Sequence, residues 1–318
     1  MRLSGVVAAI TRKTGMGQAF GGMLLLGGIT TLPELATTSS AAAIGAADLA
    51  LNNVFGSAAF NILLLAVADA VLGRDALTCV VAKPATLMQG VLGMMLLACA
   101  IVAIQLGDPA IGPVGLASLL LFALCIAALA QASAYERRPG WQAIALPEPR
   151  PEAPPPPEAG HPLSRLLLRL LGLALLVLAG GVLLAGAGES IATRTGAGEG
   201  LVGLVLLAIA TSLPELSTVT SAIRRGYHEL AVGDIFGANL FNIAMILTID
   251  LWSPGPPVLA GAGSFETVAA ALALLLTGIF LIGLLERRDR VLLRMGYDSI
   301  AALLVYAAGV ALLARLPD

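Results

Sequence analysis

Long apolar runs, separated by short polar intervals, recur along the chain at residues 19–43, 49–72, 85–106, 111–134, 164–187, 200–223, 230–252, 264–285 and 295–315. Each is long enough for a helix to cross the hydrocarbon core of a bilayer, which is about 30 Å thick and needs roughly 20 residues. Strict apolar/polar alternation is absent and aromatic residues make up only 4% of the chain, so a transmembrane β-barrel fits poorly. The pattern predicts an all-α integral membrane protein with about nine complete spans. Composition agrees: 58% of the 318 residues are hydrophobic and 12% charged, with a mean hydropathy of +0.92, outside the range of soluble domains.

The runs are not independent. Laying Thr14 on Thr195 aligns "TGMGQAFGGMLLLGGITTLPELATTSSAAAIGAADLALNNVFGSAAFNI" with "TGAGEGLVGLVLLAIATSLPELSTVTSAIRRGYHELAVGDIFGANLFNI" without a gap, and the match continues to Asp69 and Asp250 before it fades. Two helix pairs are thus copies of one unit. Carried backwards, the same shift sets Met1 opposite Val182, in the last turns of the run at 164–187. The first copy is therefore expected to lack most of one helix, giving four plus five spans where a symmetric plan has five plus five. "MRLSGVVAAITRKTG" has too short an apolar core and no small-residue cleavage site for a signal peptide.

Between the copies, "YERRPGWQAIALPEPRPEAPPPPEAGHPLSR" is rich in proline and charge and reads as an extended linker. The expected organisation is a first repeat at 1–134, a linker at 135–163 and a second repeat at 164–318. Counting alternate sides, Arg12, Lys13, Arg74, Lys83, Arg137, Arg138, Arg150, Arg165, Arg169, Arg224, Arg225, Arg287, Arg288, Arg290 and Arg294 fall on the side of the linker, whereas Arg194 and Arg315 fall opposite. The linker side is then cytoplasmic. The copies run in opposite senses, an arrangement found in secondary transporters whose sites lie at the repeat interface near the midplane.

"ITTLPEL" at 29–35 and "ATSLPEL" at 210–216 put a proline and a glutamate inside apolar runs. An ionised carboxylate at a helix centre costs about 2.5 to 3.5 kcal/mol on insertion scales, so Glu34 and Glu215 need a partner. Neither repeat core offers a lysine or arginine, which leaves a cation or a proton. Pro33 and Pro214 remove a backbone donor and free carbonyls in the turn before. Thr30 and Thr31, like Thr211 and Ser212, precede the glutamate by four and three residues and share its helix face. Ser57, Asn61 and Asn242 add oxygen from the centres of the following runs. Asn53 and Asp234 lie about 12 Å from those centres at about 1.5 Å rise per residue, so they are expected nearer the membrane surface. Asp234 is expected in the first turn of its helix, where the helix dipole favours a carboxylate. Asp69 and Asp250 fall near span ends, where water or arginine would pair with them. An all-oxygen set without His or Cys suits Ca²⁺ or Na⁺ rather than zinc or copper.

The paired "TTLPEL…GSAAFNI" and "TSLPEL…GANLFNI" resemble the two α-repeats of the Ca²⁺/cation antiporter superfamily, most closely its sodium/calcium exchanger branch. The resemblance implies an inverted-repeat transporter fold and an ion site of Thr30, Thr31, Glu34, Ser57 and Asn61 from one half with Thr211, Ser212, Glu215 and Asn242 from the other. It also suggests carbonyls near Gly27 and Ala208. It implies secondary active exchange of Ca²⁺ for Na⁺ across the plasma membrane by alternating access; Ca²⁺/H⁺ exchange and a truncated, transport-inactive relative are the alternatives. The chain departs from the family pattern at Ala238, where a hydroxyl is missing, at Ile29 and Ala210, where glycine is usual, and in the short first helix.

Other chemistry is not supported. Cys79, Cys99 and Cys125 are dispersed and form no metal or redox motif. "VGD" at 232–234 faintly matches an intramembrane aspartyl protease element, but Ala231 stands where that element needs glycine, and the tyrosine-aspartate pair it requires on an earlier helix is absent. No enzyme, resident cofactor or nucleic-acid partner is expected. The partners are inorganic cations and the lipid bilayer, and the sequence implies no protein partner.

Overall fold

The computed structural model describes residues 3–73, 75–81, 83–137, 156–195, 201–287, 291–292 and 294–316, and side chains in α7 are described only as far as residue 183 apart from 181 and 182. Most of the expected linker therefore lies outside the described residues. The elements are α1 (Leu3–Thr14), α2 (Gln18–Thr30), α3 (Leu32–Ala43), α4 (Ala47–Leu72), α5 (Pro84–Leu106), α6 (Leu116–Glu136), α7 (Leu163–Thr195), α8 (Val202–Thr211), α9 (Leu213–Arg224), α10 (His228–Trp252), α11 (Ser264–Glu286) and α12 (Tyr297–Leu313). Among the described residues, six helices are long and apolar enough to cross a membrane, and the bent pairs α2–α3 and α8–α9 bring the number to as many as eight. The 17-residue α12 sits at the ninth expected run.

The two bends, 43° and 46°, fall at Thr31 and Ser212, one residue before the Leu-Pro step. Each is preceded by a π-helical turn, Gly22–Leu26 in α2 and Val202–Leu207 in α8. A π turn inserts one extra residue and loosens the i→i−4 ladder, and such turns concentrate at functional sites. The ladder resumes only at Leu35 N–H to the Thr31 carbonyl and at Leu216 N–H to the Ser212 carbonyl. Proline thus breaks both runs, as its missing N–H requires.

α4 and α10 form the centre of the molecule and are largely buried. The π turn of α2 packs on α10, that of α8 packs on α4, and α4 and α10 also touch. Glycine makes these crossings close. A Cβ on Gly237 would strike the Met23 carbonyl, and one on Gly56 the Leu204 carbonyl; Gly22 and Gly27 meet the backbone on either side of Asp234. Small residues at such crossings let helix backbones approach where no hydrophobic drive exists between helices in lipid. On the outside, α6 and the first half of α7 expose leucines in the manner of lipid-facing helices.

Structure corrects the sequence reading at several points. Residues 111–115 and 295–296 are not helical. They belong to two short antiparallel hairpins, β1 (Ala110–Ile111) with β2 (Val114–Gly115) and β3 (Val291–Leu292) with β4 (Met295–Gly296), so α6 and α12 start later than expected. The shift that lays Thr14 on Thr195 also lays Ala110 on Val291 and Gly115 on Gly296, so the repeat persists in the fold after sequence similarity has faded. Asp69 and Asp250, expected to meet water or arginine near the span ends, are instead buried and accept from backbone and hydroxyl donors. Asp69 accepts from Leu77 N (2.6 Å), Gly296 N (2.6 Å) and Ser299 Oγ (2.7 Å). Asp250 accepts from Val258 N (2.7 Å) and Gly115 N (2.9 Å). Each pins the loop after its own helix to the hairpin of the other repeat. Finally, α7 extends to Thr195, beyond the expected 164–187.

Contacts between helix ends fit opposite senses for the two copies. Lys83, at the start of α5, forms an ion pair with Glu229 at the start of α10. Asn52 Nδ2, near the start of α4, donates to Glu266 Oε1 at the start of α11 at 2.8 Å.

Candidate cation site between the repeats

All nine expected site residues are buried, with Thr31 3% exposed and the other eight fully enclosed. The bends set their local geometry. Beside the first, Thr30 Oγ1 donates toward the Leu26 carbonyl at 3.0 Å and Thr31 Oγ1 to the Gly27 carbonyl at 2.8 Å. Beside the second, Thr211 Oγ1 donates to the Leu207 carbonyl at 2.9 Å. These hydroxyls take up carbonyls of the turn that the π insertion and the proline disturb, a use of Ser/Thr side chains common in membrane helices. The Gly27 and Ala208 carbonyls are held by Thr31 N–H and Ser212 N–H, both at 3.1 Å.

Ser212 behaves differently from its counterpart Thr31. Its hydroxyl crosses to the other repeat and donates to Glu34 Oε1 at 3.2 Å. That bond joins expected ligands of opposite halves, and Thr211 also approaches Glu34, and Thr30 Glu215, from across the repeat boundary. Glu34 Oε2 and both carboxylate oxygens of Glu215 are buried without a hydrogen-bond partner, as are Ser57 Oγ, Asn61 Oδ1 and both side-chain atoms of Asn242. Buried polar atoms are nearly always paired, and each exception in a folded protein asks for a ligand or an ion. Here the exceptions include five of the residues singled out by sequence, and others fall elsewhere, on Asn52, Asn53, Thr86 and Gln89 among them. Glu34 and Glu215 lie close enough for their charges to act on one another. Residues 14–73, 195–223 and 226–286 contain no lysine or arginine to neutralise them.

Asp234 is the residue that sequence reasoning misplaces. It sits in the second turn of α10, not the first, and is fully buried. Thr30 Oγ1 approaches its Oδ1 at 3.1 Å and Thr218 Oγ1 makes a very short hydrogen bond to its Oδ2. The charge of Asp234 acts on both Glu34 and Glu215. Its distance along the helix from Asn242 stands as expected; what fails is the assumption that α2 meets α10 at one depth. Gly22 and Gly27 let α2 lie against α10 on both sides of Asp234, so the polar cluster spreads along two turns. Asn239 also escapes the sequence reading. It accepts from Asn61 Nδ2 at 3.0 Å and donates to the Ala58 carbonyl at 3.1 Å, tying α4 to α10. Because Ala58 is its equivalent in the other copy, no polar residue repeats there to give a signal.

Among the described residues, no three His, Cys, Asp or Glu side chains gather closely enough to hold a metal by themselves. Any cation here must draw on hydroxyl, amide and carbonyl oxygen as well as carboxylate, which is the chemistry of hard ions.

Comparison with known proteins points the same way. A family model described as sodium/calcium exchanger protein matches residues 2–131 and 165–314. The chain is 32% identical to a putative antiporter, CaxA, of Alkalimonas amylolytica over 89% of its own length and 86% of that protein. It is 28% identical to the inner membrane protein YrbG of Escherichia coli, covering 84% of this chain and 77% of YrbG. Among solved structures, the fold matches the sodium-calcium exchanger NCX_Mj soaked with 100 mM Na⁺ and 10 mM Sr²⁺, with a TM-score of 0.66 and 19% identity over 99% of this chain and 93% of that one.

Proposed function

The chain belongs to the sodium/calcium exchanger protein family, a family of transporters rather than enzymes, and on that premise we propose that it exchanges Ca²⁺ for Na⁺ as a secondary active antiporter. Thr30, Thr31, Glu34, Ser57 and Asn61 together with Thr211, Ser212, Glu215 and Asn242 supply the oxygens that the ions share. The observation that carries this reading is the set of unpartnered buried oxygens on Glu34, Glu215, Ser57 and Asn61 in a core without basic residues. Two glutamates carry a charge that one Ca²⁺ or two Na⁺ balance, so occupancy by one ion excludes the other. Coupling then follows from competition. A neutralised site passes between inward- and outward-open states, while the empty, charged site resists passage; each ion shifts the population it binds best.

The multi-pass chain is proposed to lie in the plasma membrane with residues 135–163 in the cytoplasm. The accumulation of Arg12, Lys13, Lys83, Arg137, Arg224, Arg225 and Arg287 at helix ends on the linker side supports this orientation.

In vesicles containing the purified protein and loaded with Na⁺, external ⁴⁵Ca²⁺ is expected to accumulate, and Glu34→Gln or Glu215→Gln to abolish accumulation. Wild-type uptake driven by a pH gradient but not by Na⁺ would replace the counter-ion with H⁺. Uptake with neither gradient would replace exchange with a channel.

A further inference from the structure

The first half of α7 carries a stripe whose character changes along the helix. Arg165 and Arg169 are exposed one turn apart, Gly172 follows on the same face, and the exposed Leu176 and Leu183 continue it. A Cβ on Gly172 would meet nothing within 4 Å. That open space belongs to a cavity of about 480 Å³ between α1 and α7, lined by Val6, Glu158, Arg169, Gly172 and Leu173. Val6 and Leu173 make part of its wall apolar, while Arg169 and Glu158 bring charge.

The charged part is built by the end of the linker. The short turn Pro157–Gly160 packs on α1. Gly5 makes room for it, since a Cβ there would come within 2.7 Å of Arg225 Nη1 and 2.8 Å of Glu158 Oε2. The Ser4 and Ser221 hydroxyls, 2.9 Å apart, hold α1 against α9 beside them. Lys13, Arg165, Arg169 and Glu158 lie within electrostatic reach of His161, and Arg12, Arg225 and Glu158 within reach of Tyr227, so basic groups outnumber the acid. Even so, Glu158 Oε2 is buried without a hydrogen-bond donor. Arg169 lies about 9 Å along α7 from Leu163, at about 1.5 Å rise per residue, deeper than a charge that merely flanks a span.

We propose that the cavity between α1 and α7 binds a glycerol-headed anionic phospholipid from the leaflet on the linker side. Arg169 and Arg165 take its phosphodiester, a headgroup hydroxyl donates to Glu158, and an acyl chain follows Leu176 and Leu183. The guanidinium fork matches phosphate oxygens, and basic pockets between membrane helices hold anionic headgroups. A choline headgroup brings neither a donor nor net charge, and an ethanolamine headgroup brings a donor but no net charge. Only a hydroxylated anionic headgroup answers both the surplus of positive charge and the orphaned carboxylate oxygen. The exposed leucines beyond Gly172 call for a chain, which a free phosphate lacks. The proposal is independent of which ions the protein exchanges.

The test offers equal amounts of phosphatidylglycerol, phosphatidylethanolamine and phosphatidylcholine to the purified full chain in detergent and measures retained lipid by native mass spectrometry. The wild type is expected to retain phosphatidylglycerol in severalfold excess over either other lipid. Arg169→Gln removes a charge, whereas Gly172→Leu fills the cavity and leaves every charge in place. Each is expected to cut that retention severalfold without lowering the melting temperature in lipid-free detergent. Added phosphatidylglycerol should raise the melting temperature of the wild type and leave that of Gly172→Leu unmoved. Equal retention of either zwitterionic lipid by the wild type, or a preference that persists in either variant, overturns the proposal. So does displacement of the lipid by soluble glycerol phosphate at equal concentration, which would make the ligand a free anion. Loss of a dimer together with the lipid in the variants also overturns it, because the face would then be an interface between copies.

Discussion

The two halves of the molecule share one backbone device and furnish it differently. In both, a π turn, a proline bend and a buried glutamate recur at equivalent positions, and in both the broken helix crosses the central helix of the other copy on glycine. At the bend, however, Thr31 turns its hydroxyl back on the Gly27 carbonyl, whereas Ser212 reaches across to Glu34. Glu34 has a donor and Glu215 has none. On the central helices the first half offers Ser57 and Asn53, the second Ala238 and Asp234. One hydroxyl is lost and one carboxyl group is gained. A repeat duplicates geometry cheaply, but once duplicated each copy answers to different neighbours and its ligands diverge.

Shared geometry is the first thing to break. Gly56→Ala and Gly237→Ala each drive a methyl into backbone of the opposite copy, at Leu204 and at Met23. Overpacking of this kind costs about 1–3 kcal/mol, so both variants should lose stability in detergent by similar amounts, read as a drop in melting temperature. A large effect at one position and none at the other would mean that the two crossings are not equivalent.

The aspartate anchors give a graded version of the same comparison. Asp69 holds three donors and Asp250 two, because Ser299 turns to Asp69 whereas its counterpart Ser118 lies nearer Asp108. Asn retains only part of such a carboxylate's acceptor capacity, and a lost hydrogen bond to a charged group is worth roughly 1.5–3 kcal/mol. Asp69→Asn should therefore destabilise more than Asp250→Asn in thermal unfolding, with Ca²⁺ competition by Na⁺ left as in the wild type. Equal losses would remove the distinction between the anchors.

The smallest expected effect restores a difference instead of removing one. Ala238→Ser gives the second half the hydroxyl that Ser57 gives the first. One added neutral oxygen contributes about 0.5–1.5 kcal/mol, so apparent Ca²⁺ affinity should rise by roughly two- to tenfold in uptake measurements. No rise would indicate that this position faces away from the ion in the second half.

How much of this could be read from the chain alone differs by level. Spans, breaks and the buried carboxylates were legible because each follows from local chemistry: apolar length, a missing proline N–H, and the expense of a charge in lipid. Asp69 and Asp250 were visible as a recurring pair but not as anchors, since their partners lie in the other repeat. The hairpins escaped because two-residue strands leave no periodicity, and Val114 and Gly115 simply read as more of an apolar run.

The offset between the copies determines which positions are equivalent; it says nothing of which are adjacent. Sequence by itself thus determined a mainly helical membrane protein of two opposed copies, each with a bent helix, hydroxyls and a glutamate. Only the tertiary structure decided that Ser212 serves Glu34, that Asn239 links α4 to α10, and that Asp234 belongs with Thr30 and Thr218. The physical reason is the close crossing on glycine. It sets the depth at which one copy meets the other, and that depth is a property of two distant segments together, written in neither alone.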